Sequence, residues 1–147
     1  MATDTRPPFV LVGGVPGAGK STALARVAAA RPAVRVVDTE ASRRRWRDLL
    51  GPRVPYALYR PLVHARHGVL VLGALLAGPA GGTAGLCVHD PATRPVRRAV
   101  LALLARARGW DPVLVVVDVD REAALAGQVA RGRVVRPRAF ARHWRRW

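Results

Sequence analysis

Apolar residues along the chain fall into two kinds of run. Three short unbroken blocks, Phe9 to Val12, Leu86 to Val88 and Val113 to Val117, read as strands, and so does Val34 to Val37, interrupted only by Arg35. Longer stretches with apolar positions at helical spacing lie between them: Ser21 to Ala30, Ala41 to Leu50 stopped by Gly51-Pro52, Pro95 to Arg108, and Arg121 to about Ala130. Tyr56 to Ala77 reads as helical from Pro61 onward, with Gly68 and Gly73 as weak points. In the fourth helix Val96, Val100, Leu103 and Leu104 form an apolar face, Pro95 suits the first helical position and Gly109 a C-terminal cap. The block Val113 to Val117 has no polar alternation, which predicts a strand buried on both faces. Strands alternating with helices imply a three-layer α/β domain with a mostly parallel sheet and ligands at the carboxyl ends of the strands. At 147 residues a single domain accounts for the whole chain, and no internal repeat is visible.

The chemistry is concentrated where the first block meets the first helix. Gly14-Val15-Pro16-Gly17-Ala18-Gly19-Lys20-Ser21-Thr22 fits the Walker A pattern, flanked by the strand and helix that pattern requires. Glycines let consecutive N–H groups turn inward around phosphates, and the helix N-terminus adds partial positive charge. Lys20 is the only lysine in the chain, so the one compact ammonium stands where it can reach the β- and γ-phosphates. The Ser21 hydroxyl is placed to bind Mg²⁺. A carboxylate at the end of another strand is needed opposite, and Asp90 closes the Leu86 to His89 run in that way, although an Asp before Pro91 also suits a helix cap. Asp118 and Asp120 read as structural, Asp120 as the N-cap of the following helix.

The second strand runs into Asp38-Thr39-Glu40-Ala41-Ser42-Arg43, two carboxylates and an arginine cluster at its carboxyl end. A carboxylate there can take the proton of an attacking hydroxyl and an arginine can orient an anionic group. The plainer reading is a helix N-terminus whose acids favour the dipole.

Together, the glycine loop, the acid-x-x-Arg element Glu40 to Arg43, the His89-Asp90-Pro91-Ala92-Thr93 strand end with Arg97 and Arg98 behind it, and the late Arg131-Gly132-Arg133 resemble the small P-loop kinases of the AAA-domain, zeta-toxin and polynucleotide 5′-kinase-like group. The resemblance covers nearly the whole chain. It implies a kinase fold and transfer of the ATP γ-phosphate to a hydroxyl acceptor, with Glu40 as general base, Arg43 on the acceptor's anionic group, and Arg131 and Arg133 in a lid over the phosphates. Two positions depart from the pattern: Glu40 stands where the family usually has Asp, and Gly127 stands about where a further lid arginine is often found. Asp38 therefore stays open as an alternative base. A non-catalytic ATP-binding switch stays open as an alternative function.

Composition refines this picture. With no Asn and no second lysine, the Asn/Thr-Lys-x-Asp guanine-reading motif is absent, which points to ATP. The formal charge of +16 favours an anionic small acceptor and admits a nucleic-acid partner, although the basic residues are spread along the chain. The lone Cys87 excludes an intrachain disulfide and reads as a buried thiol. Residues 1–8 lack a signal-peptide pattern and Gly68 to Ala77 is too short to span a bilayer, so a cytoplasmic location is expected. His64 and His67 share a helical face without the further ligands a metal site needs, and His89 reads as a strand-end polar residue. In the basic segment 131–147, Phe140, Trp144 and Trp147 recur at i, i+4 and i+7, which predicts a helix from Pro137 docked by its aromatics; the rival is a surface that stacks on single-stranded nucleic acid.

Overall fold

The structure is a computed structural model that describes residues 6–79, 82–90, 94–130, 132, 135 and 137–145. Its elements in chain order are β1 (Pro8–Gly13), α1 (Lys20–Ala30), β2 (Val34–Val37), α2 (Thr39–Leu50), α3 (Tyr56–Leu76), β3 (Gly85–His89), α4 (Pro95–Ala107), β4 (Asp111–Val116), α5 (Arg121–Val129) and α6 (Pro137–Trp144). All strands are parallel, in the order β2-β3-β1-β4. Chain reversal between β1 and β3, with β2 outside β3, makes a crevice at their carboxyl ends, where ligands bind in open α/β sheets.

Alternate residues of the central strands feed two cores. Phe9, Leu11, Leu86 and Val88 point to one face and pack against Val71 and Leu75 of α3 and Leu101 and Ala105 of α4. Val12 and Cys87 point to the other and meet Leu24 of α1. Burial raises the Cys87 thiol pKa, which suits an inert packing role. Trp110 is fully buried and its indole N–H donates to the Leu75 carbonyl at 3.1 Å, while Arg108 Nε donates to Leu76 at 2.7 Å. Side-chain donors thus reach two of the last carbonyls of α3, Leu75 also accepting the Gly78 amide at 3.2 Å.

Four local expectations change. The apolar face of α4 is not the Val96, Val100, Leu103 stripe, whose residues are 48–76 % exposed; the helix buries Leu101 and Ala105 instead, and Leu104 only packs against the core's margin. Helix α2 begins at Thr39 rather than Ala41, because Asp38 is its N-cap and accepts the Glu40 amide at 3.2 Å. Helix α3 begins at Tyr56, with Pro61 inside it and Gly68 and Gly73 passed without a break. The buried stripe Tyr59, Val63, His67, Val71, Ala74 and Leu75 holds the helix through Pro61, whose ring costs only a hydrogen bond to exposed Ala57 near the N-terminus. Strand β4 is an edge strand, not a strand covered on both faces: Val113, Leu114, Val115 and Val116 are 40–46 % exposed. An unbroken apolar run looks the same for a covered strand and for an edge whose neighbours are missing.

At the C-terminal end, Phe140 is buried, as the aromatic spacing predicts, whereas Trp144 lies beside it with ring centres 5.8 Å apart, tilted by 40°, and stays 37 % exposed. Trp147, Arg131 and Arg133 lie outside the described residues. Among the described residues no helix is long and apolar enough to cross a membrane.

Candidate active site

The phosphate loop leaves β1 at Gly13 and enters α1 at Lys20. Gly14, Gly17 and Gly19 all have positive φ, at 134°, 95° and 88°, a path that residues with a Cβ rarely follow. Space excludes a side chain at two of them as well. A Cβ on Gly14 would press on the Val117 carbonyl, and one on Gly17 on the Ala124 carbonyl. Lys20 is 7 % exposed and its Nζ donates to the carbonyls of Gly14 at 2.8 Å and Val15 at 2.7 Å, so the ammonium lies against the loop. Ser21 and Thr22 follow in the first turn of α1, where unpaired helix N–H groups favour an anion.

The outer side of the loop is covered by α5. A Cβ on Gly127 would collide with the Gly17 carbonyl, so Gly17 and Gly127 permit a reciprocal backbone contact. Gln128, 2 % exposed, donates through Nε2 to the Pro16 carbonyl at 3.1 Å and accepts the Val135 amide through Oε1 at 2.8 Å. Val15, Ala18, Ala124 and Phe140 form one buried cluster. Position 127, noted in the sequence for lacking a lid arginine, is thus a close approach in which no side chain fits.

Across the crevice, Asp38 joins three elements. Its Oδ1 accepts the Glu40 amide and lies 2.8 Å from His89 Nδ1 at the end of β3, and its carboxylate also bonds the Ser21 side chain. Burial alone would raise its pKa; the hydrogen bonds from His89, Glu40 and Ser21 and the His89 charge outweigh it and hold it at about 2. His67, buried on α3, hydrogen-bonds the His89 carbonyl at 2.8 Å, and burial lowers its pKa. These contacts tie α2, α3 and β3 to Ser21 at the end of the loop.

Glu40 sits in the first turn of α2, with Arg43 Nη1 3.8 Å from its Oε1. The Arg43 guanidinium lies 4.7 Å from the centre of the Tyr56 ring, and its buried Nε has no hydrogen-bond acceptor among the described residues. Beside it Arg66 Nη1 donates to the fully buried Ser42 hydroxyl at 2.8 Å, and Arg60 Nε meets His64 at 3.4 Å. Asp90, 4 % exposed, follows β3; its amide donates to the Val12 carbonyl at 3.3 Å, which sets it beside the start of the loop. Arg97 Nε is 2.8 Å from Asp90 Oδ2.

Asp38, Glu40, Arg43, Asp90 and Arg97 therefore gather around the mouth of the phosphate loop. Arg98 does not. One position further round α4, it lines a groove against β4 with Ala102 and Arg106. Reading the sequence alone missed His89, which bonds Asp38, along with Arg66, Tyr56 and Gln128. His89 had a usable signal, since it immediately precedes Asp90 at a strand end. The others depend on contacts between elements far apart in sequence, and leave no local pattern.

Hard oxygen donors, the Ser21 hydroxyl and the Asp90 carboxylate, converge on the loop and suit Mg²⁺. The glycine-only turn with Lys20 folded against it suits the phosphates of a nucleotide.

Comparison with known proteins agrees with this geometry. The profile of the AAA domain family AAA_33 matches residues 9–147. No curated protein is similar enough in sequence to count as a relative. Among solved structures, a gluconokinase from Sinorhizobium meliloti 1021 superposes with a TM-score of 0.59 at 16 % identity, over 97 % of this chain and 75 % of that one. A protein of Chloroflexus aurantiacus provisionally assigned as a kinase gives 0.68 at 16 % identity, over 95 % and 75 %. A chain of the Pnkp1/Rnl/Hen1 RNA repair complex gives 0.71 at 16 % identity, over 99 % of this chain but only 45 % of that one. At such identities the likeness is one of fold. The chain belongs to the AAA domain family and has the α/β fold of the P-loop kinases.

Proposed function

We propose that the protein is an ATP-dependent phosphotransferase that moves the γ-phosphate to a hydroxyl of an anionic small molecule or nucleotide. The observation that carries this reading is the pairing of a complete phosphate loop with an acid and arginine mouth directly across from it. Lys20 leaves the Gly14 and Val15 carbonyls for the β- and γ-phosphate oxygens. Gly14 to Gly19 surround the phosphates with backbone N–H groups, and Thr22 stands behind them in the first turn of α1. Ser21 and Asp90 would hold Mg²⁺, which would supply positive charge against the phosphates.

Two carboxylates compete for the role of base. Asp38 accepts from His89, the Glu40 amide and Ser21, so its lone pairs are engaged in holding the mouth together. Glu40, beside Arg43 in the acid-x-x-Arg element, is the residue proposed to take the acceptor proton as the new O–P bond forms and the bond to the β-phosphate oxygen breaks, with Asp38 as the alternative. Arg43 and Arg97 face the acceptor side and balance its charge, and Arg131 and Arg133 act from the lid. Arg98, on the groove side of α4, is dropped from the acceptor site.

Single-turnover transfer of labelled γ-phosphate to a panel of hydroxyl acceptors tests the reading. Labelled product with any member supports it. ATP binding without transfer to any of them favours the switch alternative. The RNA repair chain among the structural neighbours and the +16 charge make oligonucleotides with a free 5′-hydroxyl the second class to include.

A further inference from the structure

The first turns of α3 carry a stripe that the phosphotransfer scheme does not use. Tyr56, Arg60 and His64 recur at i, i+4 and i+8, on the flank of the buried residues Tyr59, Val63 and His67. Two contacts fix where this stripe lies. His67 hydrogen-bonds the His89 carbonyl at the end of β3, and Arg66 donates to the buried Ser42 hydroxyl of α2, so the helix is held along the crevice. Tyr59, 3 % exposed, meets Tyr56 edge-on with ring centres 5.3 Å apart, which steadies the ring that Arg43 covers.

The charges around the stripe agree with that placement. Burial raises the Tyr56 pKa, and Arg43, Arg60 and Glu40 are near enough to act on it. Burial lowers the His64 pKa, and Arg60, Arg97 and His89 lower it further. The stripe therefore starts beside the acid-x-x-Arg element and ends beside the Arg97 that pairs with Asp90. A neutral His64 accepts the Nε–H of Arg60 at 3.4 Å, which orients the guanidinium plane and makes the two Nη groups its remaining fork. Tyr56, under Arg43, and Arg60 are one helical turn apart, about 6 Å along the axis. Each guanidinium is held in its own plane by a different partner, Tyr56 or His64, so the two present separate forks rather than one shared cage.

We propose that Arg60, oriented by His64, is a second anion subsite of the acceptor pocket, so that the acceptor carries two phosphate or carboxylate groups: one on Arg43 beside the reacting hydroxyl, the other on Arg60. Its use in catalysis rests on the phosphotransferase reading, whereas the subsite itself is read by binding, without turnover. A small bisphosphate and the 5′ end of an oligonucleotide offer the same chemistry.

Two matched pairs of hydroxyl compounds separate those sources: ribose 5-phosphate with ribose 1,5-bisphosphate, and adenosine 3′-phosphate with the dinucleotide ApAp. Titration calorimetry of the full chain in the presence of Mg-ADP reads their affinities. In at least one pair the doubly anionic member should bind roughly tenfold or more tightly than its partner, and Arg60→Ala should cancel most of that advantage. His64→Gln, which keeps an acceptor for Arg60, should preserve the advantage better than His64→Leu. An Arg60-dependent advantage in the ribose pair supports the subsite with a small acceptor, and one in the nucleotide pair supports it with an oligonucleotide end. Equal affinity within both pairs, or no binding of either doubly anionic compound at millimolar concentration, overturns the proposal. So does an advantage that Arg31→Ala, at the far end of α1 from the phosphate loop, reduces as much as Arg60→Ala does, because it then comes from the overall charge of +16. Transfer of labelled γ-phosphate is read on the same compounds. An Arg60-dependent preference without transfer supports the subsite and counts against the phosphotransferase reading alone.

Discussion

The two walls of the crevice are built on opposite principles. The donor wall is backbone against backbone: glycines at 14 and 17, Gly127 pressed on Gly17, and Gln128 bonded to Pro16 leave almost no freedom of position. The acceptor wall is side chain against side chain, with Arg43 on Tyr56, Arg66 on Ser42, Arg97 on Asp90 and His89 on Asp38, most of them half-buried. A phosphate chain is the same in every nucleotide, and a rigid cradle suits it. An acceptor that distinguishes one kinase from the next needs a wall whose long side chains can be exchanged without refolding the sheet.

If that division is right, substitutions on each wall should affect different measurements. The largest effect is expected from Glu40→Gln, which should slow transfer by roughly 10²- to 10⁴-fold while the melting-temperature rise on adding Mg-ATP is kept. If Asp38→Asn does this and Glu40→Gln does not, the assignment of the base reverses. Next, Lys20→Ala should remove most of the Mg-ATP stabilisation, which at a ligand concentration one hundred times Kd is about 2.7 kcal/mol. An undiminished shift would place nucleotide binding elsewhere.

Gly127→Arg sharpens the contrast. With α5 seated on the loop the new side chain has nowhere to go, and about 1–3 kcal/mol of stability should be lost together with nucleotide affinity. Unchanged stability with faster transfer would mean that α5 lifts off and behaves as an ordinary lid helix. Asp38→Ala should cost a similar amount, about 1–2 kcal/mol, from the lost helix cap and the lost bonds to His89 and Ser21. Because the Asp38 pKa is depressed, its stabilising contribution is present above the ordinary value of 3.8 and is lost as pH falls toward about 2, so the wild type and variant should converge in acid. Melting curves across that range check it.

The donor wall was legible in the sequence because its demands are local. Glycines at fixed spacing, one lysine and a strand and helix on either side describe the loop completely, and even the buried position of Phe140 was legible by period. The acceptor wall was half legible. Glu40, Arg43, Asp90 and Arg97 stand beside recognisable strand ends, but Tyr56 enters only because α3 starts five residues before Pro61, and Arg66 only because α3 lies along α2. Valines 113 to 117 misled for a related reason: hydrophobicity records what a strand could bury against, and the neighbour it calls for is not among the strands of this sheet.

That Lys20 is the only lysine also makes it an experimental handle. An amine-reactive reagent finds one ε-amino group in the molecule, and in the folded state that group is buried and bonded to two carbonyls. Its rate of acylation is therefore a clock for the opening of the phosphate loop, readable by intact mass without mutation. A lysine-specific endoprotease likewise has a single bond to cut, between Lys20 and Ser21, and reaches it only when the start of α1 unwinds.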